Sequence, residues 1–290
     1  MHFVKAKGIL SSQNGMNLYR GCLHGCIYCD SRSHCYQINH PFEDIEVKEN
    51  ALELLEKALK TKRNRCMIGT GAMTDPYISP EMDLQMMRKS LELILRYGFG
   101  VAVQTKSNRI LRDLDLLTQI NNGTKAVVQM TLTTADENLC RILEPNVSTT
   151  KQRIDALMQF RSAGVPTVVW LSPILPFLND SRENIQILLE ACIQAGVKGI
   201  VCFGMGLTLR EGNRDYFYQQ LDRHFPGLKE EYIRFYGSSY EVSSPRNREL
   251  MKLFHETCEK SGILHDNGEI FRYMRTFEEK DINMQMSLFE

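Results

Sequence analysis

Six short apolar runs punctuate the first two thirds of the chain: Met16–Tyr19, Cys66–Gly69, Gly100–Thr105, Ala126–Leu132, Thr167–Leu171 and Gly199–Phe203. Most are rich in Val and Ile and lack polar alternation, the pattern of strands covered on both faces. Helical patterns lie between them. Glu49–Thr61 sets Leu52, Leu55 and Leu59 on one stripe. Ser79-Pro80-Glu81 predicts a helix start, with a capping serine, proline at the first helical position and an acid in the first turn. Gly98 predicts its end. Asn108–Ile120, Thr149–Ala163 and Ser181–Ala195 repeat the scheme, the last two stopped by Gly164 and Gly196. Strands alternating with helices predict a parallel sheet with right-handed crossovers. No GxGxxG follows any run, so a barrel-like curl fits better than a doubly wound dinucleotide sheet. In such barrels the chemistry sits at the C-terminal strand ends. From about Arg210 the pattern turns helical and irregular. Ser244-Pro245 opens a helix to about Ser261, and this part is expected to cover the barrel's open side.

Composition adds bounds. The chain has 290 residues, 43% hydrophobic and 24% charged, enough for one large domain with a sizeable core. These values exclude a wholly disordered chain, a collagen and a coiled coil. Charge is balanced at 35 basic and 35 acidic residues, so no global field draws the protein to nucleic acid. A local basic groove would have to do that work. No apolar run long enough for a signal peptide or a membrane span is read, which predicts a cytoplasmic protein and no membrane partner. In that reducing setting the nine cysteines are thiols, and clustered ones point to metal or catalysis.

One cluster stands out: Cys22-Leu-His-Gly-Cys26-Ile-Tyr-Cys29, three thiols spaced C-x3-C-x2-C at the end of the first predicted strand. Such a loop can wrap one side of a compact cluster. A four-iron cubane normally takes four cysteines, so three leave one iron open. The alternative is a structural zinc site completed by His24, His34 or Cys35.

The loop resembles that of the radical S-adenosylmethionine (SAM) enzymes. Asn17-Leu-Tyr-Arg-Gly-Cys22 through Cys29, then Arg32-Ser-His34, narrows the resemblance to the spore photoproduct lyase-like branch, often labelled "DNA repair photolyase". Phe42-Glu43 with Val47-Lys48-x-Asn50, Thr74-Asp75-Pro76-Tyr77-x-x-Pro80-Glu81, and Thr105-Lys106-Ser107 extend it. Leu143-Glu144-Pro145 and Pro173-Ile-Leu-Pro176-x-x-Asn179-Asp180 do so too. The match covers roughly residues 5–205 and recurs at the strand ends.

The resemblance implies an α/β fold, a partial (β/α)6 TIM-like barrel of the radical SAM type over residues 1–209, with a C-terminal helical extension over 210–277 and a flexible tail over 278–290. It implies that Cys22, Cys26 and Cys29 hold a [4Fe-4S] cluster whose open iron binds SAM. One electron would cleave SAM to methionine and a 5′-deoxyadenosyl radical, which would take hydrogen from a substrate such as a nucleic-acid component in DNA repair. Tyr28 would pack on the adenine, Lys106 would pair with the SAM carboxylate, and Thr131 or Thr133 would hold ribose or carboxylate. Thr74 and Asp75 lie where the family contacts the SAM amino group. An electron donor such as flavodoxin or ferredoxin is implied. Spore photoproduct lyase uses a second-strand cysteine as hydrogen donor; Cys66 lies near that place, but its flanks do not match and a buried core thiol is the better reading. Cys202 is the other cysteine outside the loop that could face the barrel. His24, His34, Arg20 and Arg32 are near the cluster loop and could face substrate or donor.

The chain ends Gln285-Met-Ser-Leu288-Phe289-Glu290 after a charged spacer. This resembles the peptide by which many bacterial proteins dock on the DNA sliding clamp. Leu288 and Phe289 would fill an apolar pocket and Gln285 would bond at its rim. The alternative is a tail folded back on its own barrel. Two further functions stand beside the nucleic-acid reading: a radical SAM enzyme of a small molecule or peptide, and a zinc-structured interaction module recruited to the clamp.

Overall fold

The computed structural model describes residues 1–280. Its strands are β1 (His2–Val4), β2 (Gly15–Met16), β3 (Tyr19–Arg20), β4 (Glu46–Lys48), β5 (Met67–Thr70), β6 (Gly100–Thr105), β7 (Ala126–Thr131), β8 (Thr167–Trp170), β9 (Gly199–Val201), β10 (Gly206–Thr208) and β11 (Glu241–Ser243). Its α-helices are α1 (Ala51–Thr61), α2 (Glu81–Leu84), α3 (Met86–Arg96), α4 (Leu114–Gly123), α5 (Glu137–Leu143), α6 (Thr150–Ser162), α7 (Arg182–Gln194), α8 (Asn213–His224), α9 (Leu228–Tyr236), α10 (Asn247–Ser261) and α11 (Asn267–Arg275). Strands β2, β5, β6, β7, β8 and β9 pair side by side in chain order, each neighbour parallel. This is the partial (β/α)6 barrel, open between β2 and β9.

Strand parity sorts the core. Ile68, Val101, Val103, Val128, Met130, Val169 and Ile200 face the outer helices. Met67, Ala102, Val127, Val168 and Val201 face inward and meet Ile270 and Met274 of α11. Helix α11 starts where Asn267 bonds both backbone groups of Cys202, beyond β9. It crosses the inner face toward the start of β7, where Lys125 Nζ donates to the Tyr273 carbonyl at 2.9 Å. Helix α11 therefore lies along the inner face, and the last described residues stay docked beside it. Glu278 pairs with Lys125, and the Lys280 amide donates to the Gly123 carbonyl at 3.0 Å. Residues 285–289 lie outside the described residues.

Local signals held where no tertiary contact competed. Thr149 and Gln152 form a full capping box on α6, and Ser181 caps α7. The Ser79-Pro80 start behaves differently: Ser79 makes no side-chain cap, and the helix breaks at Gln85, whose φ is +52°. Glu81 is responsible, because its fully buried carboxylate takes the Tyr19 hydroxyl, the Met87 amide at 3.0 Å and Arg112 at 2.7 Å. The first barrel strand ends at Met16. Tyr19–Arg20 leaves for a separate sheet in the order β1-β4-β3. The region after Arg210 is not purely helical, since β11 pairs antiparallel with β10. Its Phe217, Leu221 and Tyr232 share a core with Ile27, Tyr28 and Leu143, so the extension is packed against the cysteine loop. Among the described residues no helix is long and apolar enough to cross a membrane.

Candidate active site

The cysteine loop leaves β2 at the C-terminal end of the barrel. Its turns depend on two glycines. Gly21 has φ +84°, and a Cβ there would stand 2.4 Å from the Phe42 carbonyl oxygen, which accepts the Cys22 amide at 3.0 Å. Gly25 has φ +70° and lies against Pro145. The α5–α6 connection forms the loop's outer wall. Ile27 donates to the Leu143 carbonyl at 3.0 Å, and the Asn146 amide donates to the His24 carbonyl at 3.1 Å.

Behind the loop is a buried polar chain. The Tyr28 hydroxyl and Arg153 both donate to Glu144. Arg153 also donates to the Ser148 carbonyl at 2.8 Å and to the Thr131 carbonyl at 2.9 Å, tying loop, helix and strand end together. Burial opposes the Glu144 charge, but Arg153 and then Lys106 hold its carboxyl below the usual range.

Burial pushes the Cys22 thiol up to about 12, aided by Asp75 and Cys29. Burial likewise drives Cys26 well above the usual range; Lys106 opposes that shift, while Glu144, Cys29 and Cys22 add to it. Three thiols gathered in one loop, Cys22 and Cys26 of them buried, form a donor set for a cationic, thiophilic group. The Lys106 ammonium stands 5.9 Å from the centre of the Tyr28 ring. Burial works against its charge, yet Cys26, Glu144 and Cys29 outweigh it and raise its pKa. Among the described residues no carboxylate lies within salt-bridge reach of Lys106, which leaves that charge for an anionic ligand. The Thr133 hydroxyl is fully buried and has no hydrogen-bond partner.

Other expected residues fall elsewhere. Asp75 is committed to the fold: it accepts from the Tyr77 amide at 2.8 Å, Thr105 at 2.8 and 3.0 Å and the Lys106 amide at 2.7 Å, with His24 Nε2 at 3.0 Å. Burial would raise its pKa, but His24 and those amides lower it to about 2. An ionised carboxylate so fully engaged shapes the loop rather than meeting an amino group. Thr74 is buried beside it. Cys66 precedes β5 at the N-terminal end of the barrel, outside the inner face, so it cannot donate hydrogen at the other end. Cys202 turns outward, with Sγ 3.7 Å from Met251 of α10. Cys35 is exposed beside Arg210. Arg32 is sandwiched between Phe42 at 4.4 Å and Tyr216 at 3.8 Å, which accounts for it structurally.

The inner face also holds a cavity of about 300 Å³ lined by Gln104, Gln129, Trp170 and Phe271. Trp170 Nε1 donates to Gln129 at 2.9 Å, and Phe203 stacks on Phe271 with centroids 6.1 Å apart. Small residues at Gly69, Ala72 and Ala102 leave the space open. In the sequence the signal is faint: one glutamine near the end of each of two otherwise apolar strands, β6 and β7.

An open parallel barrel with a thiol triad at its C-terminal end and an unpaired cation beside it defines a cofactor-dependent barrel enzyme. The Radical SAM superfamily model matches residues 16–189, and the chain belongs to that superfamily. Its cofactors are a [4Fe-4S] cluster and SAM, which sets aside the zinc reading of the triplet, and such enzymes need a reductant. An uncharacterized protein of Mycobacterium tuberculosis (strain ATCC 25618 / H37Rv) is 31% identical over 243 residues, 82% of this chain and 71% of the relative. Another, from Methanocaldococcus jannaschii, is 30% identical over 167 residues, 57% of this chain and 61% of the relative. Among solved structures, spore photoproduct lyase complexed with dinucleoside spore photoproduct aligns with TM-score 0.61 at 16% identity, covering 89% of this chain and 78% of that one. A single-site mutant of the same lyase gives TM-score 0.63 at 16% identity, covering 91% and 80%.

Proposed function

We propose that this radical SAM enzyme holds its cluster through Cys22, Cys26 and Cys29 and takes hydrogen from a nucleobase-bearing substrate seated on the inner face of the barrel. The observation that carries the substrate class is the cavity lined by Trp170 and Phe271, on which the exposed Phe203 packs, beside the amides of Gln104 and Gln129. Aromatic faces stack on any base, and amide pairs match the donors and acceptors of base edges. The dinucleoside bound by the fold neighbour supports this reading. When bound, the cluster supplies the electron that splits SAM into methionine and a 5′-deoxyadenosyl radical. The chain's own part is positioning and exclusion of water. Lys106 takes the SAM carboxylate, the Thr133 hydroxyl takes a polar group of the ligand, and Tyr28 presents its ring while Glu144 fixes its hydroxyl. Among the described residues none of the other cysteines lies on the inner face, and Cys66 packs against the outer core, so the proposed reaction uses no thiol hydrogen donor there. The reducing cytoplasm suits this thiol set. The clamp contact of Gln285, Leu288 and Phe289 remains a proposal from sequence alone.

Two measurements test this. Phe203 is 65% exposed, so Phe203→Ala leaves the fold intact. Losing one base–aromatic stack costs about 1–3 kcal/mol, roughly a fivefold to hundredfold weaker binding of a single-stranded oligonucleotide. If neither nucleosides nor oligonucleotides bind or change 5′-deoxyadenosine formation, the substrate is a small molecule or peptide instead. Lys106→Ala keeps its cluster but binds SAM more weakly by about 1.5–3 kcal/mol, a tenfold to hundredfold loss seen by calorimetry. Equal affinity in the variant removes Lys106 from the site.

A further inference from the structure

Away from the barrel, the small sheet brings together His2, His40 and Glu46, whose ligand atoms lie within 4.8 Å of one another. His2 and Glu46 are register partners on parallel strands β1 and β4. The His40 ring meets the His2 ring edge-on, with centroids 4.9 Å apart. Each imidazole already has one nitrogen engaged. His2 Nδ1 is 2.9 Å from Asp44 Oδ2. His40 Nδ1 is 3.0 Å from the Pro41 carbonyl, which can only accept, so Nδ1 is the donor there. The His40 Nε2 is shielded from solvent and has no hydrogen-bond partner. It faces Glu46 Oε2 across 3.8 Å, too far for a hydrogen bond. Among the described residues Glu46 pairs with no lysine or arginine. An imidazole nitrogen and a carboxylate oxygen so placed are two ligand atoms that one cation would join.

We propose that His2, His40 and Glu46 bind a divalent zinc-type cation, with water completing the coordination. Two imidazoles and a carboxylate are a donor set that zinc accepts. Ligand atoms each about 2.0–2.2 Å from a tetrahedral ion stand about 3.4 Å apart, so the site closes with small side-chain movements. Asp44 on His2 and the Pro41 carbonyl on His40 are the outer partners that fix ring orientation in such sites. The bound ion would clip β1 to the 40–46 loop. That loop carries the Phe42 carbonyl that holds the Cys22 amide at 3.0 Å, so the clip stands directly behind the cluster loop.

The test is a Co²⁺ titration of the cluster-loaded enzyme, followed by absorption. Nitrogen and oxygen ligation gives d–d bands without the intense sulfur-to-cobalt charge transfer that a thiolate site would show, so binding at stray cysteines is seen separately. One equivalent of such bands, displaced by Zn²⁺, is the expected result. His40→Ala and Glu46→Gln should abolish them, and Asp44→Asn should weaken affinity about 10- to 100-fold. Parent enzyme that shows no such bands, or variants that bind cobalt as the parent does, would overturn the site. The parent titration decides this even where a variant folds poorly, and it does not depend on the substrate reading.

Discussion

Replacing any one of Cys22, Cys26 or Cys29 with Ala leaves a protein that retains no [4Fe-4S] cluster and forms no 5′-deoxyadenosine. In the proposed assignment each is one of only three protein ligands, so no spare donor can compensate. Cys35→Ala keeps both properties, because Cys35 is exposed and turned toward Arg210. Iron and sulfide analysis after anaerobic reconstitution, with product assayed alongside, reads the result. A Cys35 variant that loses its cluster while Cys22→Ala keeps it would reverse the ligand assignment. The raised thiol pKa values add a pH dependence with a defined sign. Burial holds Cys22 up at about 12, so assembly must displace protons and weakens as pH falls.

Arg153→Met is expected to be the most destabilising single change behind the loop. Arg153 and Glu144 are both fully buried, and removing one partner leaves the other charge uncompensated. Such breaks cost about 3–5 kcal/mol. Denaturant unfolding of the cluster-free protein measures the loss. Adding Glu144→Leu to Arg153→Met should recover much of the stability, since two apolar side chains no longer bury a lone charge. It should not recover cluster retention, because the Tyr28 hydroxyl then has no Glu144 to anchor it. Full cluster retention in the double variant would show that the Tyr28–Glu144 contact does not position the loop.

The six-unit barrel was legible because it rests on local and periodic information. The apolar runs at Gly100–Thr105 and Ala126–Leu132 coincide with strands β6 and β7 to within a residue. Thr149 and Ser181 cap the helices their patterns predict. The cysteine loop was legible because three thiols within eight residues need only one turn of chain to meet. Pairings between distant segments were not. In the sequence Glu144 stands only within Leu143-Glu144-Pro145 and nothing marks Arg153 as its partner; burial excludes water and brings the two together. Asp75 read as a ligand contact until His24 and the Lys106 amide took up its oxygens. The inner cavity needs β6, β7, β8 and α11 at once, from residues as far apart in the chain as Gln13 and Arg275. His2, His40 and Glu46 likewise carry no motif; strand register sets His2 beside Glu46, and the loop before β4 brings His40 to them. The sequence by itself thus determined the barrel and its thiol triad, whose signals lie within one element or one turn. Only the tertiary structure decided which charges are buried, which carboxylates are spent and what lines the interior, because those depend on which distant side chains lose water together.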